Sequence, residues 1–113
     1  ARSSVRFAPA DAHDSVHEFV RIRFHVDPVT GLPHLLEHGV ETEEVEDVLA
    51  RPGEDRIGRA GCRVAIGKAR TGRYLRVIYV PDPEPASVFV ITAYELRGKP
   101  LFAYRRRRRR SNP

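Results

Sequence analysis

Arg73 to Tyr94 reads RYLRVIYVPDPEPASVFVITAY, and its interpretation decides the fold. Two runs rich in Val, Ile, Tyr and Phe flank PDPEPAS, where three prolines in seven residues cannot continue a strand. The stretch reads as a long antiparallel hairpin with a stiff, wide loop. Alternation sorts its side chains onto two faces. Leu75, Val77 and Tyr79 share one face, and Phe89, Ile91 and Ala93 on the return strand join them. Tyr74, Arg76, Ile78 and Val80 share the other, facing Val88, Val90, Thr92 and Tyr94. Pairing Val80 with Val88 places Arg76 across from Thr92, and Tyr74 across from Tyr94. A strand arginine, a hydroxyl and two phenols then meet on the less apolar face, which makes that cluster the first candidate for function.

Immediately upstream, Arg63 to Lys68 (RVAIGK) is the next strand, with Val64 and Ile66 toward the core and Arg63, Ala65 and Gly67 away from it. ARTG is a compact turn that sets Ile66 near Leu75 and Ala65 beside Arg76. Small residues next to Arg76 leave open surface, as a substrate groove requires. Downstream, Glu95 to Lys99 turns the chain, and Pro100 starts a short terminal helix through Leu101, Phe102 and Tyr104.

Further back, Phe19 to Val26 (FVRIRFHV) alternates: Val20, Ile22, Phe24 and Val26 on one side, Arg21, Arg23 and His25 on the other. That is a half-buried strand with a basic exposed face. Leu32 to Glu37 forms a short helix with Pro33 in its first turn and Gly39 as left-handed cap. Thr42 caps a second helix, EEVEDVLA, whose acidic start suits the positive helix end and whose Val45, Val48 and Leu49 form one apolar stripe. Helix-turn-helix DNA binding is set aside, because Glu43, Glu44, Glu46 and Asp47 stand where phosphates and bases would be met. Glu54 to Gly61 reads as a polar, glycine-rich connection with a short extended piece at Arg56 to Gly58. The expectation is an α+β domain over 19–104: an antiparallel sheet of about four strands, two short helices packed on one face and a short C-terminal helix. Residues 1–18 are expected to form a flexible arm or a short edge element around Val5 to Phe7, and 105–113 a basic tail.

The formal charge of +5 comes from that tail. Setting aside Arg105, Arg106, Arg107, Arg108, Arg109 and Arg110 leaves 14 basic against 15 acidic residues, a net of −1. Six adjacent guanidiniums seek phosphates or an acidic protein. One cysteine, Cys62, excludes an internal disulfide and fits a reducing cytoplasm. The five histidines and Cys62 are not spaced as a zinc site, and no metal or other cofactor is expected. No signal-peptide pattern or apolar run near ~18 residues is present, so no membrane span is expected.

LLEHGVETEEVEDVLARP resembles the HGV-x-x-E-E-hydrophobic segment of BrnT-type toxins and their uncharacterised relatives. GRYLRVIYV and VFVITAY are similar to the central strands that follow it in that family, and FHVD is similar to its F-x-W-D start. The resemblance covers about Phe24 to Tyr104. It implies a compact α+β fold of the RelE/ParE-like ribonuclease toxins, cleavage of RNA, and a partner antitoxin. Val26 stands where the family has tryptophan, Glu37 replaces the basic residue before HG, and Tyr94 stands where arginine closes I-S-A-R.

Metal-independent RNA cleavage needs a group for the 2′-hydroxyl, a cation for the developing phosphorane charge and an acid for the leaving oxygen. Arg63 and Arg76 are the candidate cations, because a planar fork matches phosphate oxygens. His38 and His25 are the acid–base candidates. Thr92, Tyr74 and Tyr94 orient phosphate or stack a base. Arg21, Arg23, His25, Tyr74, Arg97, Lys99 and the six tail arginines are the expected nucleic-acid contacts. The expected function is a toxin-like, metal-independent endoribonuclease with an antitoxin as partner. The alternative is a binding module of the same fold, holding RNA or protein without chemistry. Ordinary structural roles compete at each position: His38 as a residue favoured by a helix C-terminal dipole, and the tyrosines as a cross-strand aromatic pair.

Overall fold

The computed structural model describes residues 2–7, 18–82 and 87–111. Most of the proline-rich loop, the expected linker at Pro9, Ala10 and Asp11, and the end of the chain therefore lie outside the described residues. The chain folds as α+β. Its strands are β1 (Arg2–Phe7), β2 (Glu18–Phe24), β3 (Glu54–Ile57), β4 (Arg63–Lys68), β5 (Tyr74–Pro81) and β6 (Ser87–Glu95). A 3-10 helix (His34–His38) and α1 (Thr42–Ala50) follow β2, and α2 (Gly98–Ser111) closes the described chain.

Five strands, β2 to β6, make one mostly antiparallel sheet, and β1 adds to its edge in the order β1-β2-β6-β5-β4-β3. Two features depart from expectation. Glu54–Ile57 is a strand rather than a connection, pairing Asp55 with Ala65 and Ile57 with Arg63. β2 runs parallel to β6, with Ile22 beside Val88 and Phe24 beside Val90. A parallel neighbour requires a long crossover, which here is everything from the 3-10 helix to β5. At the N-terminus, Arg2–Phe7 pairs along β2, with Val5 opposite Val20, so this part of the expected arm is an edge strand.

The two hairpin registers also differ from the reading. Five residues, Ala69 to Arg73, rather than ARTG alone, join β4 to β5: Ala69 N–H bonds Arg73 O, and Gly72 turns in the left-handed region. One extra loop residue moves the pairing by one and exchanges the faces. Ile66 lies opposite Arg76, Ala65 opposite Val77 and Gly67 opposite Leu75. In β5–β6 a bulge between Ile78 and Tyr79 changes the register: Ile78 faces Thr92, whereas Tyr79 faces Val90. The bulge reverses alternation on β6, so Val88, Val90 and Ala93 are buried in the main core, while Phe89 and Ile91 are only half-buried.

Both faces of the sheet are covered, rather than one. On the first, Ile22, Phe24, Leu75, Val77, Tyr79, Val88 and Val90 pack with Leu35 of the 3-10 helix and Val45, Val48 and Leu49 of α1. On the second, Val64 and Ile66 pack with Leu96 and Tyr104, flanked by Tyr74, Ile78 and Leu101. The six arginines belong to α2 rather than to a separate tail. Like charges in adjacent turns disfavour a helix, but here three are engaged by the body. Arg107 forms a two-pronged pair with Glu54 (2.7 and 3.0 Å), Arg108 donates to Gly53 O at 2.8 Å, and Arg105 stacks on Tyr74 at 5.1 Å. The Tyr104 hydroxyl occupies the space where a Gly53 side chain would be, 1.9 Å from an added Cβ.

The helical segment is clamped by one carboxylate. Glu44 is 4% exposed, a charged residue taken almost wholly out of water. It accepts from Glu41 N–H (3.0 Å), the Thr71 hydroxyl (2.7 Å) and Arg73 Nη2 (3.0 Å). Glu41, not Thr42, is the N-cap of α1, because Glu44 reaches back to the Glu41 N–H. Gly39 caps the 3-10 helix in the left-handed conformation, as its position suggested. Burial alone raises the pKa of Glu44; the Thr71 hydroxyl, the Glu41 amide and the Arg73 guanidinium outweigh it and hold the carboxyl below its ordinary 4.5.

Two stability predictions follow from these contacts. Glu44→Gln lowers stability by about 2 kcal/mol at neutral pH, since a charged acceptor is lost while Arg73 remains partly solvated. A group with a lowered folded pKa contributes above its unfolded value and loses that contribution as pH falls through the folded one. The wild-type advantage over Glu44→Gln in urea unfolding therefore shrinks progressively below pH 4.5; a constant difference contradicts the assignment. Gly53→Ala displaces Tyr104 and loosens α2, which tryptic cleavage among the arginines reads as faster loss of the C-terminal segment.

Candidate functional site

The second sheet face is not covered evenly. α2 packs Leu101 and Tyr104 against Val64 and Ile66 of β4 and Tyr74 of β5 and pairs Arg107 with Glu54 of β3; along β6 the same face carries a strip of half-buried residues, Phe89, Thr92 and Tyr94. β2 stops pairing with β6 at Val90, where His25 N–H bonds Val90 O. Beyond that point the 3-10 helix takes over beside β6. Its Leu35 enters the main core, while His34 and His38, four residues apart, keep their rings 5.3 Å from each other.

Five rings consequently form a row. Phe89 meets His25 at 6.2 Å, His25 meets His34 at 5.8 Å, and His38 meets Tyr94 at 6.4 Å. Tyr94 is directly opposite Arg76 in the β5–β6 ladder, and Thr92 is one pair further along on the same face. Arg76 is half-buried; its Nε is shielded from water and has no hydrogen-bond partner among the described residues. The Thr92 hydroxyl is in the same condition. A buried donor without a partner is costly to keep, and two of them on one sheet face make this the candidate place for a ligand's acceptor atoms.

The expected catalytic residues are thus partly brought together. Arg76, Thr92 and Tyr94 share one face of the sheet, and His38 joins them through its ring contact with Tyr94. Arg63 does not: the β4 register turns it to the α1 face, where Asp55 holds it at 3.2 Å. Asp55, with its side chain 1% exposed, also accepts from the Tyr79 hydroxyl at 2.7 Å. Burial and the Asp55 carboxylate both push the Tyr79 phenol upward in pKa, keeping it neutral. Arg63 works in a structural clasp on β3, not beside Arg76.

The expected nucleic-acid contacts also divide. Arg23 is paired with Asp82 (2.5 and 3.0 Å) and stacked on Phe89 at 4.9 Å, and Arg97 is paired with Glu95 at 2.7 Å. Tyr74 lies against Tyr104 (5.9 Å), not Tyr94, as the shifted register requires. Arg21, His25, Lys99, Arg106, Arg109 and Arg110 are exposed. His34 was missed in the sequence, although PHLLEH contains the signal: two histidines four apart in a helical segment lie on one side. No group of His, Cys, Asp or Glu among the described residues is arranged to hold a metal ion. None of the helices is long and apolar enough to cross a membrane among the described residues.

Compared with protein-family models, with curated proteins and with solved structures, the chain matches none of them.

The arrangement separates two arginines that the sequence grouped. Arg63→Leu leaves Asp55 buried without its cation and lowers stability by about 3 kcal/mol. Arg76→Leu removes an unpartnered donor, so its midpoint in thermal unfolding equals or exceeds that of the wild type. A large loss of stability in Arg76→Leu contradicts the reading of Arg76 as a ligand-binding rather than a structural residue.

Proposed function

We propose that this chain is a toxin-like, RNA-directed protein and that the strip along β6 cleaves RNA without a metal. The observation that carries the reading is the unpartnered Arg76 Nε beside Thr92 and Tyr94, at the end of a histidine row. The Arg76 guanidinium receives the phosphate, with the Thr92 hydroxyl as a second donor. His38 removes the 2′-hydroxyl proton, and O2′ attacks phosphorus while the bond to the 5′-oxygen breaks. A second imidazole of the row, at His34 or His25, supplies a proton to that oxygen. The products are a 2′,3′-cyclic phosphate and a 5′-hydroxyl. Arg76 stabilises the charge on the phosphorane, the role in which a preorganised cation is most effective. A cognate antitoxin is the proposed protein partner, and the resemblance of LLEHGVETEEVEDVLARP to the BrnT-type segment supports this part.

The binding-module alternative rests on one specific observation. Arg63 is withdrawn to the other face, leaving Arg76 as the only one of the two expected catalytic arginines at the strip. Unstructured RNA incubated with the protein in EDTA decides between them. The account expects cleavage with cyclic-phosphate ends, lowered about 10²- to 10³-fold in Arg76→Ala and about 10²-fold or more in His38→Gln. Tight binding with intact RNA supports the module instead.

A further inference from the structure

α2 carries its charge in two sets. On a helix of 3.6 residues per turn, Leu101, Tyr104, Arg105, Arg107 and Arg108 project toward the sheet, and the contacts already described use them there. Lys99, Phe102, Arg106, Arg109 and Arg110 fall within an arc of about 100° on the opposite side. All five are exposed, Phe102 by 59%, and the helix contains no acidic residue. Arg106, Arg109 and Arg110 have no ion-pair partner among the described residues. The stripe therefore combines a presented aromatic ring with four cations, one two turns before Arg106 and two about a turn after it, on a helix held by three arginine contacts and the buried Tyr104. An apolar ring of this size is an unusual choice for the outer side of so polar a helix.

We infer that the outer face of α2 is a docking surface for single-stranded RNA, with Phe102 stacking on a base and Lys99, Arg106, Arg109 and Arg110 meeting consecutive phosphates. Charge complementarity selects a polyanion, and the exposed ring selects one with unstacked bases, since a duplex offers no base face. The inference deepens the proposed function and rests on its assignment of RNA as the partner, but not on cleavage. α2 and the β6 strip belong to the same sheet face, so one strand can lie along the helix and continue toward Arg76.

The test uses a short fluorescent single-stranded RNA, 2′-O-methylated to prevent cleavage, bound across a salt series, with a duplex of the same length and polyglutamate as comparisons. Replacing Arg106, Arg109 and Arg110 by glutamine lowers the log–log salt slope by about 2 for single strands. Phe102→Ala weakens single-strand binding about tenfold or more without changing the slope, and leaves duplex binding unaltered. Arg76→Ala changes the slope by no more than about 0.7. A wild-type slope in the triple variant, or wild-type affinity in Phe102→Ala, overturns the inference. If the triple variant keeps its RNA slope but loses polyglutamate, the inference is overturned and the stripe belongs to an acidic protein. Binding as described by a wild type that leaves unmodified RNA intact sinks the proposed cleavage and upholds the docking surface. Efficient cleavage with unaltered binding in both helix variants does the opposite.

Discussion

The salt bridge between Glu44 and Arg73 joins segments that are otherwise held mainly by apolar packing. Glu44 fixes the start of α1 and the Thr71 turn, while Arg73 also donates to Gly39 O at the end of the 3-10 helix and reaches Glu95 at 3.8 Å. One buried carboxylate thereby sets the position of the helix carrying His34 and His38 relative to the strands carrying Arg76 and Tyr94. Apolar contacts of Leu35 and α1 determine that the segment covers the sheet; they specify its position along β6 less sharply, because packing is not directional. The charged pair supplies the direction.

Division of labour among the arginines is the second organising fact. Those facing carboxylates build the fold: Arg63 with Asp55, Arg73 with Glu44, Arg107 with Glu54 and Arg23 with Asp82. Arg76 has no such partner among the described residues, although it sits in the middle of the sheet. Its cross-strand neighbours are Ile66 on β4 and Tyr94 on β6, neither of them an acid, and the Tyr94 ring in turn meets His38. Half-buried surroundings strengthen its interaction with an anion and exclude competing water. The same surroundings make it a burden to the folded state when no anion is bound.

Much of this was legible in the sequence. Alternation identified β2, β4, β5 and β6, the Val45, Val48 and Leu49 stripe identified α1, and Gly39 marked the end of the 3-10 helix. Pairing was less legible, for reasons that can be stated. A five-residue turn and a four-residue turn differ by one peptide, and ARTG contains no residue that excludes Arg73 from the loop. The β6 bulge is equally hidden, because Ile91 and Thr92 suit a regular strand as well as a bulge. The longer turn moved Arg63 to the far face, and the bulge together with a one-residue offset at the loop end, where Val80 pairs with Phe89, moved Tyr74 away from Tyr94, splitting a cluster that rested on parity. Parallel pairing of β2 depends on what the chain does sixty residues later, which local pattern cannot encode. The candidate site survived in part because Arg76, Thr92 and Tyr94 keep their common face under a two-residue shift. α2 was foreseen as a short helix plus tail, since six arginines have no amphipathic pattern until Glu54, Gly53 and Tyr74 are in place to receive three of them.

The account's central claim is that Arg76, and not Arg63, is the arginine of the sheet that receives a phosphodiester. The most direct measurement follows arginine Nε–Hε and histidine ring resonances by NMR while a non-cleavable 2′-O-methyl RNA is titrated into the full chain. The account predicts that the Arg76 Nε–Hε signal and the His38 and Tyr94 ring signals shift together and saturate at one concentration, with the Arg63 signal unmoved in its clasp with Asp55. An Arg76 signal that stays in place at saturating RNA would contradict it.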